Sequence, residues 1–545
     1  MQNYPWWQKG VIYQIYPRSF QDTTGNGVGD LQGIIERLDH LNDGTPDSLG
    51  VDAIWISPFY PSPMVDFGYD VSDYTDVHPL FGDLDTFDRL ANAVHQRGMK
   101  LIVDYVPNHT SDEHAWFVES RSSRDNPKSD WYIWRDAPED GNLPNNWGNM
   151  FGGQAWTWDE TRQQYYFHQF HSRQPDLNWR NPQVREAMYD VLRFWMDRGV
   201  DGFRMDVVYV VWKHPDMPNQ PFIEGAKGRA EGDNFSRQRQ IYAYNYDGIH
   251  DIMREIRTVL DEQNAVGIAE LWLPLAERMK YYGTNGDEFH LPFNFDLISE
   301  IGSEAVEFET RSPWSAANVR RMIEAYEANV PPDSWPNYVL GNHDVPRLAS
   351  RVGEAQAGVA AMLLLTLRGT PTLYMGDEIG MVNGQITEET MRDPQAFSSG
   401  LATTRDVART PMQWNAEQGA GFTTADEPWL PIHENHTTRN VTDQRQQPDS
   451  LLSLYRALIW LRKNSLALSV GDYATADAPE GVYAYQRTHG DETKLVVLNF
   501  TDESQTVSLE RGGQVALSTE LERKDQAVSE SLQLSANEGL IINLG

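Results

Sequence analysis

The sequence predicts a (β/α)₈ barrel (a TIM barrel) that carries a small domain inserted after its third strand and an antiparallel β domain at its C-terminus. Three observations lead there. Short apolar runs alternate with amphipathic helical stretches until eight have passed. One gap between runs is too long for an ordinary connection, and near the end the helices give way to alternating strands alone.

The eight runs occupy 11–16, 51–58, 100–106, 201–208, 265–272, 290–297, 337–344 and 370–378. Several are continuously apolar, as parallel strands buried on both faces should be. Between them lie helical patterns such as LDTFDRLANAVHQRG and NPQVREAMYDVLRFWMDRG. The second opens on Asn-Pro and closes on Gly, which are helix start and stop signals. A doubly wound open sheet is the structural rival, and strand counting alone does not exclude it. Between the third and fourth runs the stretch 107–176 is rich in Trp, Asn and Gly and is expected to form the inserted domain. The barrel then comprises 1–106 and 177–464. After 465, segments such as VYAYQRTHG and TKLVVLNFT alternate between turn residues, so 465–545 reads as a C-terminal β-sandwich.

Composition narrows the function classes. Asp and Glu number 79 against 45 Lys and Arg, a formal net charge of −34. So acidic a surface repels nucleic acid and anionic membranes, and neither is expected as a partner. There is no cysteine, which excludes disulfides, thiolate metal sites and thiol nucleophiles. The N-terminus lacks a basic start followed by an apolar core, and no apolar run approaches the roughly 18 residues of a membrane span. A cytoplasmic enzyme, monomeric or a small homo-oligomer, is the expectation.

In such a barrel, polar residues at the C-terminal ends of the strands point into the active site. Here these ends carry Asp104 and His109, then Arg204 and Asp206, then Glu270, then His343 and Asp344. Gathering several carboxylates on one face costs electrostatic energy, which function explains better than stability. Three carboxylates around one cavity suit glycoside hydrolysis: one attacks the anomeric carbon, one protonates the leaving oxygen, and further negative charge stabilises the oxocarbenium-like transition state. The residues by themselves do not say which carboxylate does which task.

The segments DYVPNHTS (104–111), QPDLNW (174–179), DGFRMDVV (201–208), GIAELW (267–272) and LGNHDVPR (340–347) together resemble glycoside hydrolase family 13, the α-amylase clan. The resemblance implies that Asp206 is the nucleophile, Glu270 the general acid/base and Asp344 the transition-state stabiliser. It also implies that Arg204 keeps the nucleophile ionised and that His109 and His343 bind glucose hydroxyls. DFGYDVSDY (66–74) and ARTPMQW (408–414) resemble the oligo-1,6-glucosidase and α-glucosidase branch. There Asp66 and Arg409 would pair to close the pocket beyond the terminal glucose, with Tyr69 stacking on its ring. The implied activity is that of a retaining, exo-acting α-glucosidase taking isomaltose, maltose and similar short oligosaccharides. A transglucosylase or a sucrose- or trehalose-active isomerase using the same glucosyl intermediate is the alternative. Val207, directly after the nucleophile, is associated in this branch with α-1,6 linkages, although Val is also an ordinary residue for a buried strand.

DTTGNGVGD (22–30) spaces oxygen ligands at alternate positions: Asp22, Thr24, Asn26, the Val28 carbonyl and Asp30. That pattern suggests a structural Ca²⁺ or Mg²⁺, with no cofactor in catalysis. Thr24 and Asn26 depart from the resembling family's Asn and Asp, and the lost charge should weaken the site.

Overall fold

The computed structural model describes residues 4–229, 232–299 and 312–544. Its centre is a closed barrel of eight parallel strands. The first three are β1 (Ile12–Ile15), β2 (Ala53–Ile56) and β3 (Lys100–Tyr105). The inserted segment follows with β4 (Trp134–Arg135), β5 (Trp156–Asp159) and β6 (Gln164–Phe167). The barrel resumes with β7 (Gly202–Met205), β8 (Val266–Ala269), β9 (Leu291–Asn294), β10 (Asn337–Val339) and β11 (Thr370–Tyr374). Ile12 on β1 is in register with both Ala53 on β2 and Thr372 on β11, which closes the barrel and rules out an open sheet. Every residue of β1, β2, β7 and β8 is buried, the physical reason β2 and β8 read as unbroken apolar runs and β1 and β7 are broken only by Gln14 and Arg204.

The outer helices start where their caps stand. Asp83 accepts the Thr86 N–H to open Leu84–Gln96, and Asn181 accepts the Gln183 N–H to open Pro182–Asp197, with Pro in the first turn. Each such cap contributes about 1 kcal/mol.

Several strands stop short of their sequence runs. β7 ends at Met205, and Val207 adopts φ 36°, ψ 42° in the left-handed region. It is therefore no strand residue, contrary to the ordinary-strand reading of this valine. β8 ends at Ala269 and β10 at Val339. The chain leaves the ladder where polar side chains must turn into the cavity.

In the insertion β4, β6 and β5 form a three-stranded antiparallel sheet. Its small core of Trp147, Trp156 and Phe167 includes Met217 and Ala243 from the connection after β7. The His109–Asp176 bridge ties the insertion to the barrel rim.

At the C-terminus a helix, Leu466–Val470, precedes the first strand, so the sheet begins at Asp472. β12 (Asp472–Ala476), β13 (Val482–His489), β14 (Glu492–Asn499), β16 (Gly513–Ser518), β17 (Ala527–Val528) and β19 (Gly539–Leu544) make one sheet. β15 (Gln505–Ser508) and β18 (Ser531–Leu534) make a second, and Val497, Val507, Leu534 and Ile542 are buried together in one apolar cluster. Two buried arginines join this unit to the barrel. Arg462 donates to the carbonyls of Leu365, Leu367 and Leu468 at 3.0, 3.2 and 2.9 Å, and also to Gly369. Arg487 donates to the carbonyls of Gly471, at 2.9 Å, and Thr366. No helix among the described residues is long and apolar enough to cross a membrane.

Candidate active site

Strand register builds the centre of the site. Asp104 on β3 lies opposite Arg204 on β7, and Met205 opposite Ala269 on β8. The Asp206 N–H donates to the Tyr105 carbonyl and the Glu270 N–H to the Met205 carbonyl, so both carboxylates begin where their strands end. One guanidinium then grips three carboxylates. Arg204 Nη1 is 2.7 Å from Asp104 Oδ1 and 2.5 Å from Asp206 Oδ1, while Nη2 is 2.7 Å from Glu270 Oε2. The left-handed Val207 turn adds a further hold, because its N–H donates to Glu270 Oε2 at 3.0 Å. A β-branched residue is a rare occupant of that region, at a cost of about 1–3 kcal/mol. The Trp272 indole N–H donates to Glu270 Oε1 at 2.8 Å.

The electrostatics follow from one cation among three buried acids. Burial pushes the Asp206 carboxyl well above the usual carboxylate range, with Glu270 and Asp104 adding to the rise and Arg204 opposing it. Burial likewise raises Asp104 to about 6 against the pull of Arg204. Arg204 thus pulls Asp206 and Asp104 toward their charged forms against burial and mutual repulsion.

Asp344 belongs to a different charge environment. Burial pushes its carboxyl up, but the neighbouring cations Arg409 and Arg405 outweigh that and hold it well below the ordinary range. Burial lowers His343 itself to about 3, so the imidazole is neutral and the two arginines supply the positive charge. Arg409 Nη2 is 2.8 Å from Asp344 Oδ1. The rings of Tyr16 and Tyr69 have their centroids 5.6 and 5.5 Å from that of His343 and lie 17° and 2° from its plane. Its Nε2 faces Asp344 Oδ2 at 3.1 Å and the Tyr69 hydroxyl at 2.7 Å. The Asp344 side chain is 21% exposed and that of Asp206 10%, whereas Arg204 is sealed at 1%. The two exposed carboxylates therefore face the cavity, with the cation behind them.

The far wall differs from the sequence expectation. Asp66 does not pair with Arg409. Its partner is Arg405, whose Nη2 lies 2.8 Å from Asp66 Oδ1 and 2.6 Å from Asp393 Oδ1. Arg409 is engaged instead by Asp344 and by the His343 carbonyl, to which its Nε donates at 2.8 Å. Arg405 and Arg409 stand four residues apart, at the N-cap and the last residue of a single short helical turn (Asp406–Arg409), and so lie on one face of it. Gln174 completes the wall, donating through Nε2 to Asp66 Oδ2 at 3.2 Å, with His109 Nε2 also 3.2 Å away. Arg405, Asp393 and Gln174 escaped the sequence reading. The only signal for Arg405 was a second arginine one turn before Arg409.

The structure thus brings Asp66, Tyr69, His109, Arg204, Asp206, Glu270, His343, Asp344 and Arg409 into one connected network. The 22–30 loop lies apart from it. There Asp22 accepts the N–H groups of Thr24, Gly25 and Gly27 at 2.8–2.9 Å and the Thr423 hydroxyl at 2.5 Å. Asp30 accepts the N–H groups of Thr23 and Gly33, and Asn26 Oδ1 accepts that of Val28. Both oxygens of Asp22 and of Asp30 are thus engaged by N–H and hydroxyl donors, so these two carboxylates would have to give up hydrogen bonds to hold a cation.

Comparison with known proteins adds the following. The family description "Alpha amylase, catalytic domain" matches residues 14–471, and "Alpha-amylase SusG C-terminal domain" matches 482–541. A protein named probable alpha-glucosidase from Rhizobium meliloti (strain 1021) is 40% identical over 521 residues, covering 92% of this chain and 91% of its own. An oligo-1,6-glucosidase from Heyndrickxia coagulans is 40% identical over 540 residues, covering 93% and 94%. The solved structure of an alpha-glucosyl transfer enzyme, XgtA, superposes with a TM-score of 0.90 at 37% identity over 100% of both chains.

Proposed function

The chain belongs to the α-amylase family of glycoside hydrolases, and from that premise we propose that it is a retaining, exo-acting α-glucosidase of short oligosaccharides. The observation that carries this reading is the juxtaposition of Asp206, Glu270 and Asp344 with a wall closed by the Asp66–Arg405 pair. A cavity shut at that end admits one terminal sugar and no through-running chain.

In the proposed reaction Asp206 attacks the anomeric carbon while Glu270 passes its proton to the departing glycosidic oxygen. Arg204 touches both carboxyl groups, one through each terminal nitrogen, and such a close pair suits direct displacement by Asp206. Asp344, held ionised by two arginines, stabilises the positive charge that grows on the ring. Glu270, now a base, then takes a proton from a water whose oxygen attacks the anomeric carbon, breaking its bond to Asp206 and releasing glucose with its configuration retained. His109, His343 and Tyr69 line the terminal sugar in this reading, and Val207 biases the enzyme toward α-1,6 links. The work is that of a cytoplasmic enzyme on small sugars.

Transfer of the glucosyl group to a second sugar is the second reading, supported by the full-length likeness to an α-glucosyl transfer enzyme. Incubation with isomaltose, maltose, trehalose and sucrose, followed by NMR of the anomeric protons, separates the two. Free α-glucose as the first product supports retaining hydrolysis, and new disaccharides support transfer. Initial β-glucose, or loss of starch iodine staining without free glucose, overturns the proposal.

A further inference from the structure

Lys213 is a fully buried cation that the proposed reaction does not use. It follows the Val208–Val210 turn after β7, and its side chain is 3% exposed. Nζ lies 2.6 Å from Asp176 Oδ2 and donates to the Val210 carbonyl at 2.6 Å and to Asn108 Oδ1 at 2.9 Å. A buried ion pair is seldom more stabilising than apolar residues of the same volume, so its presence calls for another reason.

That reason lies one residue further on. An ammonium only donates, so the Asn108 atom facing it must be the amide oxygen. The amide nitrogen is thereby turned to His109 Nδ1, 3.1 Å away. An amide nitrogen also only donates, so Nδ1 must be the bare ring nitrogen and Nε2 must carry the proton. Burial lowers His109 to about 4, so the ring holds one proton, not two.

The other side of the ring is contested. The Tyr69 carbonyl, 3.2 Å from Nε2, wants a proton there. Gln174 Nε2, also at 3.2 Å, wants a lone pair. Gln174 cannot turn over, because its Oε1 accepts the His171 N–H at 3.0 Å and its Nε2 serves Asp66. Were Asn108 free to rotate its amide, it and Gln174 would together favour the opposite tautomer.

We propose that Lys213, held by Asp176, is a positioning residue that locks the Asn108 amide and so fixes His109 as an Nε2–H donor toward a hydroxyl oxygen of the terminal sugar. The sugar contact rests on the glucosidase reading; the tautomer does not.

Two variants test it. Asn108→Asp keeps the shape but offers oxygen on both sides, which forces the proton to Nδ1. Lys213→Met removes the lock. In protein labelled with ¹⁵N-histidine, with His109 identified by its absence in His109→Asn, the protonated nitrogen should be Nε2 in the wild type and Nδ1 in Asn108→Asp. A wild-type Nδ1 proton, or an unchanged tautomer in Asn108→Asp, overturns the proposal even if Lys213→Met fails to fold. With aryl α-glucosides, Asn108→Asp should raise KM about tenfold, the size of one hydrogen bond, with kcat little changed. One monodeoxy substrate, lacking the contacted hydroxyl, should escape that penalty. A switched tautomer with every deoxy substrate penalised alike would uphold the lock and count against the sugar contact alone.

Discussion

Arg405 Nη2 stands 2.8 Å from Asp66 Oδ1, and this contact ties the segment after β11 to the loop after β2. The same guanidinium holds Asp393, and its Nη1 comes within 3.5 Å of Asp344. A single side chain therefore joins Asp66 and Asp393 to Asp344.

Arg405→Ala would leave two buried carboxylates without their cation, at a cost of about 3–5 kcal/mol. Urea denaturation should register that loss, and kcat/KM on maltose or isomaltose should fall at least about tenfold. Arg409→Ala should behave differently: it touches Asp344 and not Asp66, so kcat should drop while specificity for chain ends persists. Identical phenotypes would mean that the two arginines do not divide these tasks.

Glu270→Gln removes the transferable proton but not the shape. General acid assistance contributes about 10²–10⁴-fold, so turnover of isomaltose should fall within that range. An activated aryl glucoside, which leaves without protonation, should still glucosylate Asp206 rapidly in stopped flow. Equal losses on both substrates would count against the acid role.

Val207 joins two effects in one residue. Val207→Thr or Val207→Ala should raise the maltose-to-isomaltose ratio of kcat/KM, by about 10–200-fold if one or two methyl contacts decide linkage. Val207→Gly should relieve a left-handed strain of about 1–3 kcal/mol. Its melting temperature should rise even as the grip on Glu270 loosens and kcat declines. If neither ratio nor stability moves, the turn has no part in specificity.

Asp377, in the turn after β11, tests the buried electrostatics by pH. Burial raises its carboxyl from an ordinary 3.8 to about 7, with Glu378 adding to the rise and Arg347 and Arg351 opposing it. Between those values the folded state holds a proton that the unfolded chain has lost, so this group's contribution to stability falls as pH rises through that window. Asp377→Asn has no such slope. Its melting temperature should gain on the wild type from pH 4 to 7 and then run parallel.

The 22–30 loop should be indifferent to metal. Its carboxylates are filled by N–H and hydroxyl donors, so the melting temperature should be the same with chelator and with added calcium. A clear rise with calcium would mean that the cation displaces these bonds.

The barrel was legible because strands buried on both faces leave unbroken apolar runs, and the helix borders because Asp83 and Asn181 are capping residue types in front of periodic patterns. The clustering of Asp206 and Glu270 was legible because both sit just past the ends of adjacent strands, β7 and β8. Partner choice was not. Nothing in ARTPMQW says that Arg409 turns inward to Asp344 while Arg405, one turn earlier, takes Asp66; that depends on how the short helix sits against β10. The left-handed Val207 was hidden for the opposite reason, since a run of β-branched residues argues for strand. In the 22–30 loop the spacing of oxygens was visible, but the inward-pointing N–H groups and the distant Thr423 were not.

The terminal nitrogens of Arg462 and Arg487 donate to backbone carbonyls, and those carbonyls come from both sides of the junction near Gly471. Pulling the β-sandwich away from the barrel would strand bare guanidinium charge and bare peptide oxygen in the same apolar seam. No half-separated state is cheap. The border that the chain crosses at residue 471 is accordingly a weld and not a hinge, and the two bodies should melt in one cooperative transition.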